Sequence, residues 1–342
     1  MASAPRGDLG SVLVIGGNGF LGHHIVNQAL SSWNCTSVTS IDLRCSRNVN
    51  EKAAYHECDI TDAAKLTELL QTIRPDVVIH TASPIASGEG KTAHELFRKV
   101  NVGGTKAVIE ACQKSGVKAL VYTSSASVIS DNETDLLNAD EDYPVIRGVQ
   151  QKEYYSETKA AAEELVIKAN RQESSKLLTT SIRPAGIFGE GDVQTLAGFL
   201  RAYKNGKSNV QLGDNTNIFD FTYVGNVAHA HLLAARLLLA TAASSIIPPE
   251  LRARRRRSLL HHQRLARLLL GLCPRRLEGC GQRQGHRGSL ADFTGLEHCP
   301  RLAERGLLWH HQQASYFHKA EGCGVYHDTV LQHQQGQAGA AV

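Results

Sequence analysis

The chain has 342 residues, 42% of them hydrophobic and 20% charged, with a formal net charge of +4. That composition excludes a wholly disordered chain, a collagen-like chain and a small disulfide scaffold, and the length fits one large domain or two modest ones. The charge is uneven: residues 1–245 carry −3 with 10 Arg and 13 Lys, whereas residues 246–342 carry +7 with 13 Arg, 1 Lys and nine of the 16 His.

Residues 1–10 read as a flexible start with no room for a secretory apolar region before the first strand. Ser11–Ile15 (SVLVI) is a short β-branched run, as expected of a strand buried on both faces. Gly16–Gly22 (GGNGFLG) follows, and His23–Leu30 has helical spacing. Val38–Leu43 is a second strand, Asp62–Thr72 a helix capped by Asp62, and Asp76–Thr81 (DVVIHT) another buried strand. Thr92–Gln113 is helical and ends at Gly116. Ala119–Thr123 is a strand, Glu153–Asn170 a long helix, and Thr179–Arg183 a strand closed by Pro184. The apolar stretch Val227–Ile247 is interrupted by His229, His231 and Arg236, so it reads as a buried helix and not a membrane span. The alternation predicts an α/β fold: a Rossmann-type, doubly wound parallel sheet over residues 11–245.

Eight Cys occur without any CxxC spacing, which gives no zinc knuckle or thioredoxin-type pair and suits reduced thiols. The sequons at Asn34 and Asn132 read as chance matches in a chain without a signal peptide. No His/Asp/Glu set has metal-ligand spacing.

Gly16, Gly19 and Gly22 form G-x-x-G-x-x-G between a strand and a helix. Such a turn brings backbone close to a pyrophosphate, and the amides of Phe20, Leu21 and Gly22 at the helix start add donors and a favourable dipole. Asp42 ends the second strand, 20 residues after Gly22. A carboxylate there accepts from ribose hydroxyls and repels a 2′-phosphate, so NAD is expected, with Arg44 and Arg47 keeping NADP as the alternative. Asp59 and Ile60, after the third strand, are placed to face the adenine.

Tyr155 and Lys159 form Y-x-x-x-K near a helix start, and positions i and i+4 share a face. Lys159 is expected to lower the tyrosine pKa from about 10, making an acid/base usable near neutrality, and to bond the nicotinamide ribose. Tyr154 does not compete, because its i+4 partner is Thr158. Thr123-Ser124-Ser125 ends the preceding strand and offers hydroxyls that could orient a substrate oxygen; loop capping is the plainer reading of that cluster. His80 is expected to line the cofactor edge, and His23 and His24 to be local structure.

Taken together, VLVIGGNGFLGHHIV, HTASP, KVNVGGT, VYTSSASV, YYSETK, IRPAGIFGEGD and NIFDFTYVGNVAHAHLLAA resemble the extended short-chain dehydrogenases of the 3β-hydroxysteroid dehydrogenase family. Within it, the sterol-4α-carboxylate dehydrogenases of fungi are most similar. The resemblance covers about residues 11–240. It implies Tyr155 as proton acceptor, Lys159 as its partner, Ser125 as the substrate-orienting hydroxyl with Ser124 as fallback, and Asn101 as structural. It also implies NAD-linked oxidation of a 3β-hydroxy-4α-carboxysterol followed by loss of carbon dioxide. A sterol substrate, a place among other sterol-demethylation enzymes, a cytosol-facing endoplasmic reticulum location and room for a homodimer come with it. A 3β-hydroxysteroid dehydrogenase/isomerase, a nucleotide-sugar epimerase and an inactive dinucleotide-binding protein stay open as alternatives.

Residues 246–342 match no part of that family as written, so the substrate region is incomplete. Leu, Arg, His, Gln, Gly, Pro and Ala dominate there, as an out-of-frame reading of GC-rich DNA would produce. Ala253–Leu260, His261–Leu272 and Val330–Gln337 all admit codings whose +1 frame is family-like, which points to a frame error near Ile246–Leu251. The alternative is a genuine basic tail, low in order. Its run Arg254–Arg257 lacks aromatic interleaving, so no nucleic acid partner is expected.

Overall fold

The structure, a computed structural model, describes residues 7–85, 90–172, 175–209, 211 and 218–243. The elements are β1 (Asp8–Ile15), α1 (Phe20–Ser32), β2 (Asn34–Asp42), β3 (Ala54–Glu57), α2 (Ala63–Ile73), β4 (Val77–His80), α3 (Lys91–Phe97), α4 (Thr105–Lys114) and β5 (Ala119–Thr123). They continue with α5 (Tyr154–Lys168), β6 (Leu178–Ile182), β7 (Gly186–Phe188), α6 (Thr195–Lys204), β8 (Phe221–Tyr223) and α7 (Val224–Ala243). The main sheet has the order β3-β2-β1-β4-β5-β6, and every pairing is parallel. The order reverses between β1 and β4, which makes the carboxyl ends of these strands the expected place for a ligand.

Burial on both faces explains why β4 and β5 read as unbroken apolar runs: every residue of each is buried. One face packs Val12, Val14, Ile79 and Val121 against Ile25 of α1 and Leu232 of α7. The other packs Leu13, Val78 and Leu120 against Leu66 of α2, Val108 of α4 and Val166 of α5. The predicted Rossmann-type doubly wound sheet is therefore the observed fold. Asp62 caps α2 as expected, its side chain accepting from the Lys65 amide at 3.1 Å.

Three expectations change. The flexible start does not extend to residue 10, because β1 begins at Asp8 and Leu9 is fully buried. Asp76 explains this: its carboxylate accepts the Ser11 N–H at 2.9 Å, and Gly10, at φ +65°, gives it room. A Cβ on Gly10 would lie 2.3 Å from Asp76 Oδ2.

The single helix expected over 92–113 is interrupted by a π-helical turn, Arg98–Gly104. A Cβ on Gly104 would come within 2.5 Å of Ile60 Cδ1, so this glycine lets α4 settle on the β3–α2 connection. Finally, β7, β8 and α6 were not expected, since three-residue strands carry no usable period. The chain divides into two compact units, and α6 belongs to the smaller, with its start capped by Asp192, which accepts from the amides of Gln194, Thr195 and Leu196.

The basic tail from residue 246 onward lies outside the described residues. Among the described residues no helix is long and apolar enough to cross a membrane, and no group of His, Cys, Asp and Glu is arranged to hold a metal ion.

Candidate active site

At the end of β1 the chain turns on glycines that the surrounding backbone demands. Gly16 has φ +84°, and a Cβ there would meet the Ala82 nitrogen at 2.7 Å. On Gly22 it would lie 2.1 Å from the Gly16 oxygen, so α1 can begin against the turn only with glycine there. Gly19 differs. A Cβ on it would meet only the Gly16 oxygen, at 3.1 Å, so packing does not require the bare backbone. It leaves the start of α1 accessible, and no side chain caps that start. The free amides of this first turn fit a diphosphate.

Asn18 joins this turn to the end of β2. Its amide donates to Asp42 Oδ2 at 3.0 Å, its side-chain NH₂ to the Arg47 carbonyl at 2.7 Å, and its Oδ1 accepts from Ser40 at 2.8 Å. The sequence reading missed Asn18; its signal was a lone buried-type amide inside a glycine turn. Asp42 Oδ1 accepts the Leu43 N–H at 2.7 Å. Each carboxylate oxygen thus takes one amide and keeps a lone pair for a ribose hydroxyl. Asp59 is exposed and accepts the Thr61 amide, whereas the Ile60 side chain is buried in the core. Of Ile60, only backbone can face an adenine. Phe20 and Leu21 likewise contribute amides, with their side chains packed on the core.

Across the switch point, β5 leads into Ser124 and Ser125. Ser124 donates its amide to the Ile182 carbonyl at 2.8 Å, and its hydroxyl is buried without a partner among the described residues. Ser125 Oγ accepts the Ser127 amide at 3.2 Å and lies 2.8 Å from Ser127 Oγ, so it does cap the turn Ala126–Ile129. Ser156 Oγ lies 2.8 Å from Ser127 Oγ and, donating to Glu153 Oε2 at 2.5 Å, continues this hydroxyl chain.

Tyr155 opens α5 half-buried, with Phe97 edge-on at 5.5 Å. Tyr154 is stacked on His94 at 4.0 Å. Lys159, one turn beyond Tyr155, is 2% exposed; its ammonium donates to the Thr123 carbonyl at 2.5 Å and lies 4.5 Å above the Tyr122 ring. Burial pushes Lys159 down to about 7, with the Glu163 carboxylate pulling it back up.

The expectation that Lys159 depresses the Tyr155 pKa needs correcting. Burial holds the phenol above its ordinary value, the Ser83 hydroxyl opposes this, and Glu153 adds to it. The lysine charge is directed at Thr123. His80 also departs from expectation: it is fully buried, 3.1 Å from Thr105 Oγ1, so it does not line a cofactor surface. Burial drives it down to about 3, and it stays a neutral core histidine. His23 and His24, expected to be local structure, bond carbonyls distant in the chain, those of Asn48 and Glu190, so they tie the turn to other segments.

Three further groups matter, of which His231 and Glu163 were not foreseen. Asn101, read as structural, accepts from Ser83 at 2.9 Å and donates to Thr158 at 3.0 Å, tying the β4 loop to the Tyr155 turn. His231 of α7 is fully buried, with Nδ1 bonded to the Val227 carbonyl at 2.7 Å. That bond makes Nδ1 the donor, so Nε2 accepts from the Thr123 hydroxyl at 2.8 Å. Glu163 forms a buried ion pair with Arg183.

A family model described as "3-beta hydroxysteroid dehydrogenase/isomerase family" matches residues 13–250. The chain is 44% identical over 236 residues to the sterol-4-alpha-carboxylate 3-dehydrogenase ERG26, decarboxylating, of Candida albicans, covering 67% of this chain and 65% of that protein. It is 41% identical over 225 residues to the human sterol-4-alpha-carboxylate 3-dehydrogenase, decarboxylating, covering 66% of this chain and 57% of that protein. The chain thus spans less than two thirds of the length of these curated relatives. Among solved structures, the Thermus thermophilus UDP-glucose 4-epimerase in complex with NAD is 26% identical with a TM-score of 0.54, over 68% of this chain and 82% of that one. The fold, the glycine turn and the Tyr155–Lys159 helix lie in the stretch these comparisons match, and the chain belongs to the 3-beta hydroxysteroid dehydrogenase/isomerase family.

Proposed function

We propose that the readable enzyme in this chain is an NAD-dependent 3β-hydroxysterol dehydrogenase that oxidises a 4α-carboxysterol, with decarboxylation following. What supports this reading is that Lys159, one turn from Tyr155, bonds the Thr123 carbonyl at the end of β5 beside Ser125, while the glycine turn and Asp42 stand at the ends of β1 and β2 of the same parallel sheet. The printed names of relatives 41–44% identical supply the sterol.

When bound, NAD supplies the hydride acceptor. The α1 amides hold the diphosphate, and Asp42 accepts from the ribose and disfavours a 2′-phosphate. Ser125 orients the substrate hydroxyl and Tyr155 takes its proton. Lys159 spends one ammonium donor on Thr123 and has two left for the ribose and the phenolate. The 3-keto product is a β-keto acid. Its carbonyl accepts the electron pair released with carbon dioxide, so the carbon–carbon cleavage asks little more of the protein.

On the same reading the enzyme faces the cytosol at the endoplasmic reticulum, works beside other sterol-demethylation enzymes and forms a homodimer. The epimerase likeness favours a second reading, a nucleotide-sugar enzyme. Product analysis with NAD and either a 4α-carboxysterol or a UDP-sugar separates them: a 3-ketone and carbon dioxide are expected, and sugar turnover alone sinks the sterol reading.

We also propose the frame error near Ile246–Leu251. The coding DNA decides it, since three windows without family-like +1 translation end the idea. The chain as written is expected to aggregate or turn over sterol poorly, and soluble, full NAD-linked sterol oxidation would refute that.

A further inference from the structure

Tyr155, Lys159 and Glu163 follow one another along α5 at four-residue spacing and share a face. Lys159 is 2% exposed and Glu163 is fully buried. Glu163 has a partner from the end of β6: Arg183 donates from Nε at 2.9 Å and from Nη2 at 2.5 Å to Oε1, and from Nε at 3.2 Å to Oε2. A fully buried anion therefore stands one helical turn from the buried Lys159 and in contact with Arg183, whose side chain is 13% exposed.

Polar and titratable groups reach Lys159 from four elements. Strand β5 supplies the Thr123 carbonyl and the Tyr122 ring, β4 supplies His80, α7 supplies His231, and α5 supplies Tyr155 and Glu163. Burial drives both histidines down and both phenols up, so all four stay neutral near pH 7. Among these groups Glu163 is the only anion. A buried ammonium without an opposite charge sheds its proton, and a buried carboxylate without a partner takes one up.

We propose that Glu163 and Arg183 are positioning residues for Lys159: the carboxylate keeps the ammonium charged inside the apolar layer, and the guanidinium keeps the carboxylate charged. The inference deepens the dehydrogenase reading, resting on Lys159 as the partner of Tyr155. It sets how much of the ammonium's charge survives burial before any cofactor binds.

The test is an NMR titration of the Lys159 side chain in the full chain with labelled lysine and no cofactor, assigned by the signal lost in Lys159→Arg. Glu163→Gln is expected to lower the proton affinity of Lys159 about tenfold or more. Glu163→Asp, which keeps the charge, is expected to stay within about threefold of the parent. The pair Glu163→Gln with Arg183→Met removes both charges, guards against misfolding from a lone buried ion, and is expected to match Glu163→Gln. A folded Glu163→Gln chain whose Lys159 titrates like the parent overturns the proposal, as does a parent-like double variant. NADH binding, followed by fluorescence, tests the other reading separately: no binding alongside the expected Lys159 titrations counts against the dehydrogenase and not against the pair.

Discussion

The two ends of the strand-edge site are built on different physics. At the end proposed to hold the nucleotide, from β1 to β3, the determinants are bare backbone and two carboxylates, half-buried Asp42 and exposed Asp59, beside Gly16, Gly19 and Gly22. At the end proposed to be catalytic, from β5 to β6, they are polar and charged side chains, with Thr123, Lys159, Glu163 and His231 buried and Arg183 mostly covered. The first end can lose a side chain and keep its fold, because water satisfies what is left. The second cannot, because an orphaned buried charge has nowhere to go.

The harshest way to break this contrast is Arg183→Met. Glu163 would lose its partner while fully buried, and urea unfolding is expected to show a loss of about 3–5 kcal/mol. A loss under about 1 kcal/mol would mean that the pair behaves like a surface one and the contrast fails.

Acid probes the same end. Burial holds His231 at about 4 and His80 at about 3, below the 6.5 of an unfolded histidine. The unfolded chain therefore binds the proton first. The contribution is full above pH 6.5 and is lost as pH falls towards 4 for His231 and towards 3 for His80. For His231 this amounts to roughly 3 kcal/mol, and His231→Gln should flatten the stability–pH curve between those limits.

Two glycines sharpen the nucleotide end from within. Gly22→Ala would force a Cβ to 2.1 Å from the Gly16 oxygen, and a thermal melt is expected to register about 1–3 kcal/mol of destabilisation. Gly19→Ala should cost the melt less than Gly22→Ala while weakening NADH binding, because its Cβ would meet only the Gly16 oxygen, at 3.1 Å, at the start of α1. Smallest of all, Asp42→Asn should keep the fold, reduce NADH affinity about tenfold and narrow the preference over NADPH in a binding titration.

The same division decided what could be read ahead of the coordinates. Gly16, Gly22, Asp42 and the Tyr155–Lys159 spacing follow from local sterics and helix periodicity, which a single stretch of chain displays. Applied once more, that spacing would have put Glu163 on the face of Lys159. Its partner Arg183, 20 residues on, needed the β6 crossover, and the Thr123–His231 bond spans 108 residues. The π-helical turn at Arg98–Gly104 was hidden because its cause, contact of Gly104 with Ile60, is tertiary. The stretch beyond residue 250 was illegible for another reason: the family match ends there.

The bond between His231 and Thr123 also has a consequence for the order of synthesis. Every side chain assigned to chemistry lies before residue 160, and the sheet is complete at Ile182. Helix α7 begins only at Val224. A nascent chain halted before that point would carry Ser125, Tyr155 and Lys159 on an assembled sheet, yet the Thr123 hydroxyl and one apolar face of β5 would still be waiting for α7. Domains form as units while the chain emerges. Here the His231 partner of Thr123, at the strand end proposed to be catalytic, arrives with one of the last family-like segments to leave the ribosome.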